Sequence, residues 1–284
     1  GCGKSSLVKS ILYPALQYEL GIYENKPGEF NKIDGDLAKI DFVEFINQNP
    51  IGRSSRSNPV TYIKAYDDIR ALFSSHKLSI QRSYKPKHFS FNVDGGRCDK
   101  CKGDGEITIE MQFMADVHLV CDQCKGSRFK KEILDVKYLD KNIFDILNMT
   151  INEALKFFEL ANELKIYKKL LPLKNVGLGY VKLGQSSSPL SGGEAQRIKL
   201  AYFLGKANNN KKGVFIFDEP TTGLHTDDIK KLLKSFNSLI DIGNTIIIVE
   251  HNLELIKCSD YIIDLGPVGG DNGGYIIAHA YGQE

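Results

Sequence analysis

Although 42% of the 284 residues are apolar, no uninterrupted apolar run approaches a membrane-spanning length, which takes roughly 18 residues. The chain therefore reads as soluble, with enough apolar material for one large or two modest domains. Charge of one sign is also lacking: the net formal charge is +2, so the total points to no partner. No carboxylate cluster has the pattern of a metal-dependent nuclease, which argues against strand cutting. An initiating methionine is missing as well. Gly1-Cys-Gly-Lys-Ser-Ser6 is only the tail of the phosphate-binding pattern G-x-x-x-x-G-K-[ST]. These features predict a fragment of a longer protein, with the strand before the loop and any targeting signal upstream.

What is present points to nucleotide chemistry. In the half motif, Gly1, Cys2, Gly3, Lys4, Ser5 and Ser6 would face ATP phosphates, Lys4 reaching the β- and γ-phosphates and Ser5 ligating Mg²⁺. Leu7, Val8, Ile11 and Leu12 follow at helical spacing. A second cradle is Leu190-Ser-Gly-Gly-Glu-Ala-Gln-Arg197. Gly192 and Gly193 allow close backbone approach and Ser191 offers a hydroxyl, while Glu194 lies in the first turn of a helix whose positive end faces the anion. Val214-Phe-Ile-Phe217 reads as a buried strand that delivers Asp218 and Glu219 at its C-terminal end. Asn244-Thr-Ile-Ile-Ile-Val249 is a β-branched strand ending at Glu250-His251. Gln48 follows a strand-like run over residues 40–46, an observation with no weight by itself.

Four of the six cysteines fall as Cys98-x-x-Cys101 and Cys121-x-x-Cys124. This spacing is a strong signal for a tetrahedral Cys₄ zinc site, structural because no ligand position is spare. Between the pairs, the alternating runs 106–113 and 116–120 predict a hairpin. Disulfides fit poorly with nucleotide enzymes of the reducing cytosol. Cys2 occupies a variable loop position, and Cys258 is expected to be a buried core thiol. The segment 52–100 carries ten Lys/Arg against four Asp/Glu, a net +6 that leaves the remainder at −4. It suggests a polyanion partner, and a solvated charged face is the alternative that charge alone leaves open. Thr150, with Glu153 three residues on, is expected to cap a core helix beginning at Ile151.

The combination of phosphate loop, Gln48, Ser191-Gly-Gly193, Asp218-Glu219 and His251 resembles the ATP-binding cassette ATPases. That resemblance implies that Asp218 holds the Mg²⁺ shell with Ser5, that Glu219 polarises the attacking water, and that Gln48 and His251 sense the γ-phosphate. A zinc module between Gln48 and Ser191 is foreign to transporters. With Asn49-Pro-Ile-Gly-Arg-Ser-Ser-Arg-Ser-Asn-Pro59, Phe89-Ser-Phe-Asn-Val-Asp-Gly-Gly-Arg-Cys98, Val176-Gly-Leu-Gly-Tyr-Val-Lys-Leu-Gly-Gln185 and Asp218-Glu-Pro-Thr-Thr-Gly-Leu-His225, the chain resembles the C-terminal half of the UvrA family of bacterial excision-repair ATPases.

The resemblance implies an α/β cassette ATPase core over residues 1–70 and 176–284. An insertion over residues 71–175 would carry a zinc ribbon, at about 88–132, and a helical DNA-binding part. It implies a cytoplasmic ATPase that is not itself a nuclease, with ATP, Mg²⁺ and Zn²⁺ as cofactors. Its partners would be damaged duplex DNA, UvrB, the N-terminal ATPase half of the same chain and a second full-length copy, with no membrane. Arg53, Arg56, Lys85, Lys87, Arg97 and Arg128 are the nominated DNA contacts. Two alternatives are a transporter's nucleotide-binding subunit and a chaperone-type zinc protein. The Cys₄ insertion opposes the first. The ATPase motifs oppose the second, as does the missing last glycine after the second cysteine pair. A polar stretch, residues 208–212, departs from the family pattern without touching a motif.

Overall fold

The computed structural model describes residues 3–52, 56–111, 116–187, 189–206, 211–267 and 273–282. Seven strands occur among them: β1 (Phe42–Ile46), β2 (Glu106–Ile109), β3 (Val117–Val120), β4 (Gly213–Asp218), β5 (Thr245–Val249), β6 (Tyr261–Gly266) and β7 (Tyr275–Tyr281). The chain divides into two compact units, Gly1–Asn49 with Ser191–Glu284, and Pro50–Leu190. The second unit is wider than the expected insertion at residues 71–175, because the flanks bond to each other and to the insertion. Val60 N donates to Leu183 O at 3.3 Å, and Ile151 N donates to Val181 O at 2.9 Å.

In the first unit β1, β4 and β5 form a parallel sheet in that order. The central position of β4 explains its unbroken apolar run: Gly213 through Phe217 are all buried. A strand covered on both faces has no use for polar alternation. Gly213 is required by contact, since a Cβ there would lie 2.5 Å from the Phe42 ring. The helix Thr226–Ile240 lays Ile229, Leu232, Phe236 and Leu239 on one face, the spacing of an amphipathic helix. Phe236 meets Phe217 with ring centroids 4.7 Å apart. Burying each such side chain contributes about 1.5–3 kcal/mol.

The helix expected after the phosphate loop is present as Lys4–Ser6, Leu7–Leu12 and Tyr13–Glu19, with the middle segment π-helical. Val8 and Leu16 join Val43, Val214, Ile216 and Val249 in one apolar cluster. The expected mixed sheet is divided between this parallel sheet and a separate antiparallel pair, β6–β7. Cys258 contradicts its expectation: it is exposed, its thiol donating to Glu254 O at 3.3 Å. It follows the four-residue helix Leu253–Ile256, in which Leu255 is the buried residue.

The second unit is mainly helical around an aromatic core that includes Phe73, Phe89, Phe91, Phe129 and Phe158. Tyr66 stacks on Phe91 and donates its hydroxyl to Phe89 O at 2.6 Å. The helix Ile151–Leu160 starts where its cap predicts. Glu153 N donates to Thr150 Oγ1 at 3.2 Å, and Thr150 N donates to Glu153 Oε2 at 2.8 Å, which satisfies two end groups reciprocally. Its buried face is Ile151, Ala154, Leu155 and Phe158. Among the described residues no helix is long and apolar enough to cross a membrane.

Candidate functional site

The parallel strands of the first unit end together. β1 runs into Asn47 and Gln48, β4 into Asp218 and Glu219, and β5 into Glu250 and His251. The register pairs Ile46 with Phe217 and Asp218 with Val249. The polar residues therefore share the C-terminal edge of the sheet, the edge at which open α/β sheets bind ligands.

Ser5 Oγ donates to Asp218 Oδ1 at 3.1 Å, joining residues 213 positions apart. A hydroxyl and a carboxylate oxygen side by side are a fitting donor pair for a hard cation such as Mg²⁺. Lys4 opens the same helix, after Gly3 in left-handed backbone at φ 89°. Gly1 and Cys2, the start of the expected phosphate contacts, lie outside the described residues.

Glu219 also adopts left-handed backbone, at φ 50°. For a residue with a Cβ this costs of order 1–3 kcal/mol and persists only where surrounding contacts over-determine it. Glu219 N donates to Val249 O at 2.9 Å. Its carbonyl accepts from Gln48 Nε2 at 3.2 Å and from Thr222 Oγ1 at 3.0 Å. The side chain is thereby turned outward, and Oε1 lies 3.8 Å from His251 Nδ1.

The glycine motif belongs to the same unit. Ser191 caps the helix Gly192–Lys206: Glu194 N donates to Ser191 Oγ at 3.2 Å, and Ser191 N donates to Glu194 Oε2 at 2.8 Å. A Cβ at Gly192 would lie 2.9 Å from Gln48 Cβ, and one at Gly193 would lie 3.0 Å from Thr222 O. The two glycines are thus a packing requirement of this edge.

Glu250 is a site residue that motif reading passed over. It is buried, and its Oε1 accepts from Thr221 N at 2.9 Å and from the Thr221 hydroxyl. Its Oε2 accepts from His251 N at 2.9 Å and Asn252 N at 3.1 Å. Burial acts to raise the carboxyl, but these donors outweigh it and hold Glu250 below the ordinary glutamate range. An acidic residue beside a strand-end histidine was the available signal.

In the second unit the Sγ atoms of Cys98, Cys101, Cys121 and Cys124 all lie within 4.8 Å of one another. Cys98–Cys121 and Cys101–Cys124 are 3.9 and 3.6 Å apart. A tetrahedral site with Zn–S bonds of about 2.3 Å has S···S edges of about 3.8 Å, so the donor set fits zinc. Each pair is followed by Lys-Gly in left-handed backbone, Lys102-Gly103 and Lys125-Gly126. β2 and β3 pair antiparallel between the knuckles, and Gly105 N donates to Cys101 Sγ at 3.3 Å.

The nominated basic residues fall into different environments. Arg56 is paired with Asp104 at 3.1 Å and Arg97 with Asp94 at 2.7 Å. Arg128 is partly buried and its guanidinium lies 5.4 Å from the Phe91 ring centre; burial lowers its pKa. Lys85 and Lys87 are exposed, and Arg53 lies outside the described residues.

Strand-end carboxylates, a phosphate-loop helix and a glycine-capped helix on one parallel sheet define the ATP-binding cassette type of P-loop ATPase fold. The cysteine-bearing unit interrupts it between Gln48 and Ser191. No family model matches the chain. It is 56% identical over 277 residues to UvrABC system protein A of Clostridium acetobutylicum, covering 98% of this chain and 29% of that protein. It is 53% identical over 278 residues to UvrABC system protein A of Staphylococcus aureus, with the same coverages. The crystal structure of UvrA2 from Deinococcus radiodurans aligns with a TM-score of 0.89 at 42% identity, covering 99% of this chain and 33% of that one. Over nearly its whole length the chain is similar to UvrA proteins, and it spans about 29% of the length of the curated relatives it matches.

Proposed function

We propose that this chain is a nucleotide-hydrolysing segment of a UvrA-type protein acting in excision repair, where ATP turnover governs engagement of damaged duplex DNA and transfer of the site to UvrB. The observation that carries this reading is the convergence of Ser5, Gln48, Asp218, Glu219 and His251 at the ends of three parallel strands. Phosphoryl transfer to water needs charge neutralisation and a positioned nucleophile more than covalent chemistry. Lys4 and the phosphate-loop amides would hold the β- and γ-phosphates. Ser5 and Asp218 would hold Mg²⁺, which supplies charge neutralisation at the phosphate oxygens when bound. Glu219, turned outward by its strained backbone, is the base that orients the attacking water. His251, 3.8 Å from Glu219, would contact the γ-phosphate and keep that carboxylate aimed. The Ser191 hydroxyl and the amides at Gly192 and Gly193 would serve a nucleotide held mainly by a partner ATPase half, in the same polypeptide or in a second copy.

The Cys₄ cluster is a structural zinc site in this account, and the exposed lysines of the second unit neutralise DNA phosphates. The test is magnesium-dependent ATP hydrolysis by the full-length protein, with retention of a damaged duplex in a gel-shift assay. A transporter subunit would hydrolyse ATP and leave the duplex unshifted.

A further inference from the structure

Two side chains of the helix Gly192–Lys206 reach beneath the nucleotide edge. Gln196 is buried, and its Nε2 donates to Ile46 O at 2.9 Å and to Asp218 O at 3.1 Å. One amide therefore bridges the last carbonyls of β1 and β4. Lys199, one turn further along, donates from Nζ to Asn47 O at 3.0 Å, Asn47 Oδ1 at 2.8 Å and Asn49 O at 2.9 Å. Those two carbonyls flank Gln48 on both sides. An ammonium has three donors and no acceptor, and here all three find oxygens of the same turn. Burial lowers the Lys199 pKa, and among the described residues no carboxylate is bonded to it. A desolvated cation spent on backbone carbonyls is a costly way to hold a loop, so its geometry matters more than its stability.

We infer that Lys199 is a positioning residue for Gln48, and that with Gln196 it couples the glycine-capped helix to the γ-phosphate-sensing turn. The inference rests on the ATPase reading above. The chain of contacts is continuous: Lys199 fixes the carbonyls around Gln48, Gln48 Nε2 bonds Glu219 O, and Glu219 carries the outward carboxylate. A shift of the helix on engaging a partner's nucleotide would then pull the Gln48 turn directly.

A double-mutant cycle in the full-length protein, with the other ATP site inactivated, tests this. Gln48→Ala and Lys199→Met should each lower kcat about tenfold while changing ATP affinity less than about threefold. The double variant should be no slower than Gln48→Ala, because residues acting through one another are not additive. Multiplying effects, about a hundredfold together, would overturn the inference and leave the ATPase reading standing. An unaffected Gln48→Ala would overturn the role given to Gln48, and this inference with it. If Lys199→Met fails to fold, Asn47→Ala, which removes one of the three acceptors, replaces it in the cycle under the same criteria.

Discussion

Glu250 and Thr221 lock the loop after β4 to the loop after β5: one carboxylate oxygen takes both the amide of Thr221, at 2.9 Å, and its hydroxyl. The other oxygen takes the amides of His251 and Asn252. The two loops that carry Glu219 and His251 are therefore set by a single buried carboxylate.

Glu250→Gln replaces an acceptor-only group by one whose NH₂ faces donors, and should destabilise the protein by about 1–3 kcal/mol. Because the folded-state pKa is depressed, the Glu250 contribution is fully present above the ordinary glutamate value and lost as pH falls through the lower folded one. The stability difference between wild type and variant should be constant above about pH 5 and shrink below about pH 4. Denaturant unfolding across that range checks it. A difference independent of pH would mean that the carboxylate gains nothing from these donors.

The sheet edge was largely legible in the sequence. Val214 through Phe217 is apolar without interruption because β4 is the central strand, and such a run must end where polar residues leave the sheet. The Thr150 cap and the cysteine spacing were equally local signals, readable within a few residues. The missed features depend on long-range contacts. Arg56 looks like a free cation until Asp104, 48 positions away, is placed beside it, and Arg128 until Phe91 is. Cys258 sits between Lys257 and Ser259, just past a four-residue helix, and its exposure depends on which face of that helix turns inward. Lys199 serves oxygens of Asn47 and Asn49, 150 or more positions away in the chain, and Gln196 joins Ile46 O, 150 positions away, to Asp218 O.

The cysteine cluster gives a separable test. Cys101→Ser should release one zinc per chain and disorder the β2–β3 hairpin, since a structural zinc contributes on the order of 10–16 kcal/mol in small peptides. The first unit contains none of the four cysteines, so ATP binding should persist. Elemental analysis with hydrogen exchange over β2 and β3 checks both parts. Absence of zinc from the reduced wild-type protein would refute the metal assignment.

Lys85 and Lys87 carry the charge argument, both being exposed on a segment with net charge +6. Replacing both by alanine should weaken intact and damaged duplexes alike and reduce the slope of log affinity against log salt by up to about two units. Damage preference should survive, because phosphate contacts position without specifying. Wild-type affinity with an unchanged slope would show that this pair serves only solubility.

In the proposed mechanism Glu219 orients the hydrolytic water, its side chain set by a strained backbone. The most direct measurement is single-site ATP turnover by Glu219→Gln in the full-length protein, with the other site inactivated and ATP affinity measured in parallel. The carboxamide keeps the shape and removes the base. Turnover should fall about a hundredfold or more, with ATP affinity within about threefold of wild type. Unchanged turnover would contradict the account.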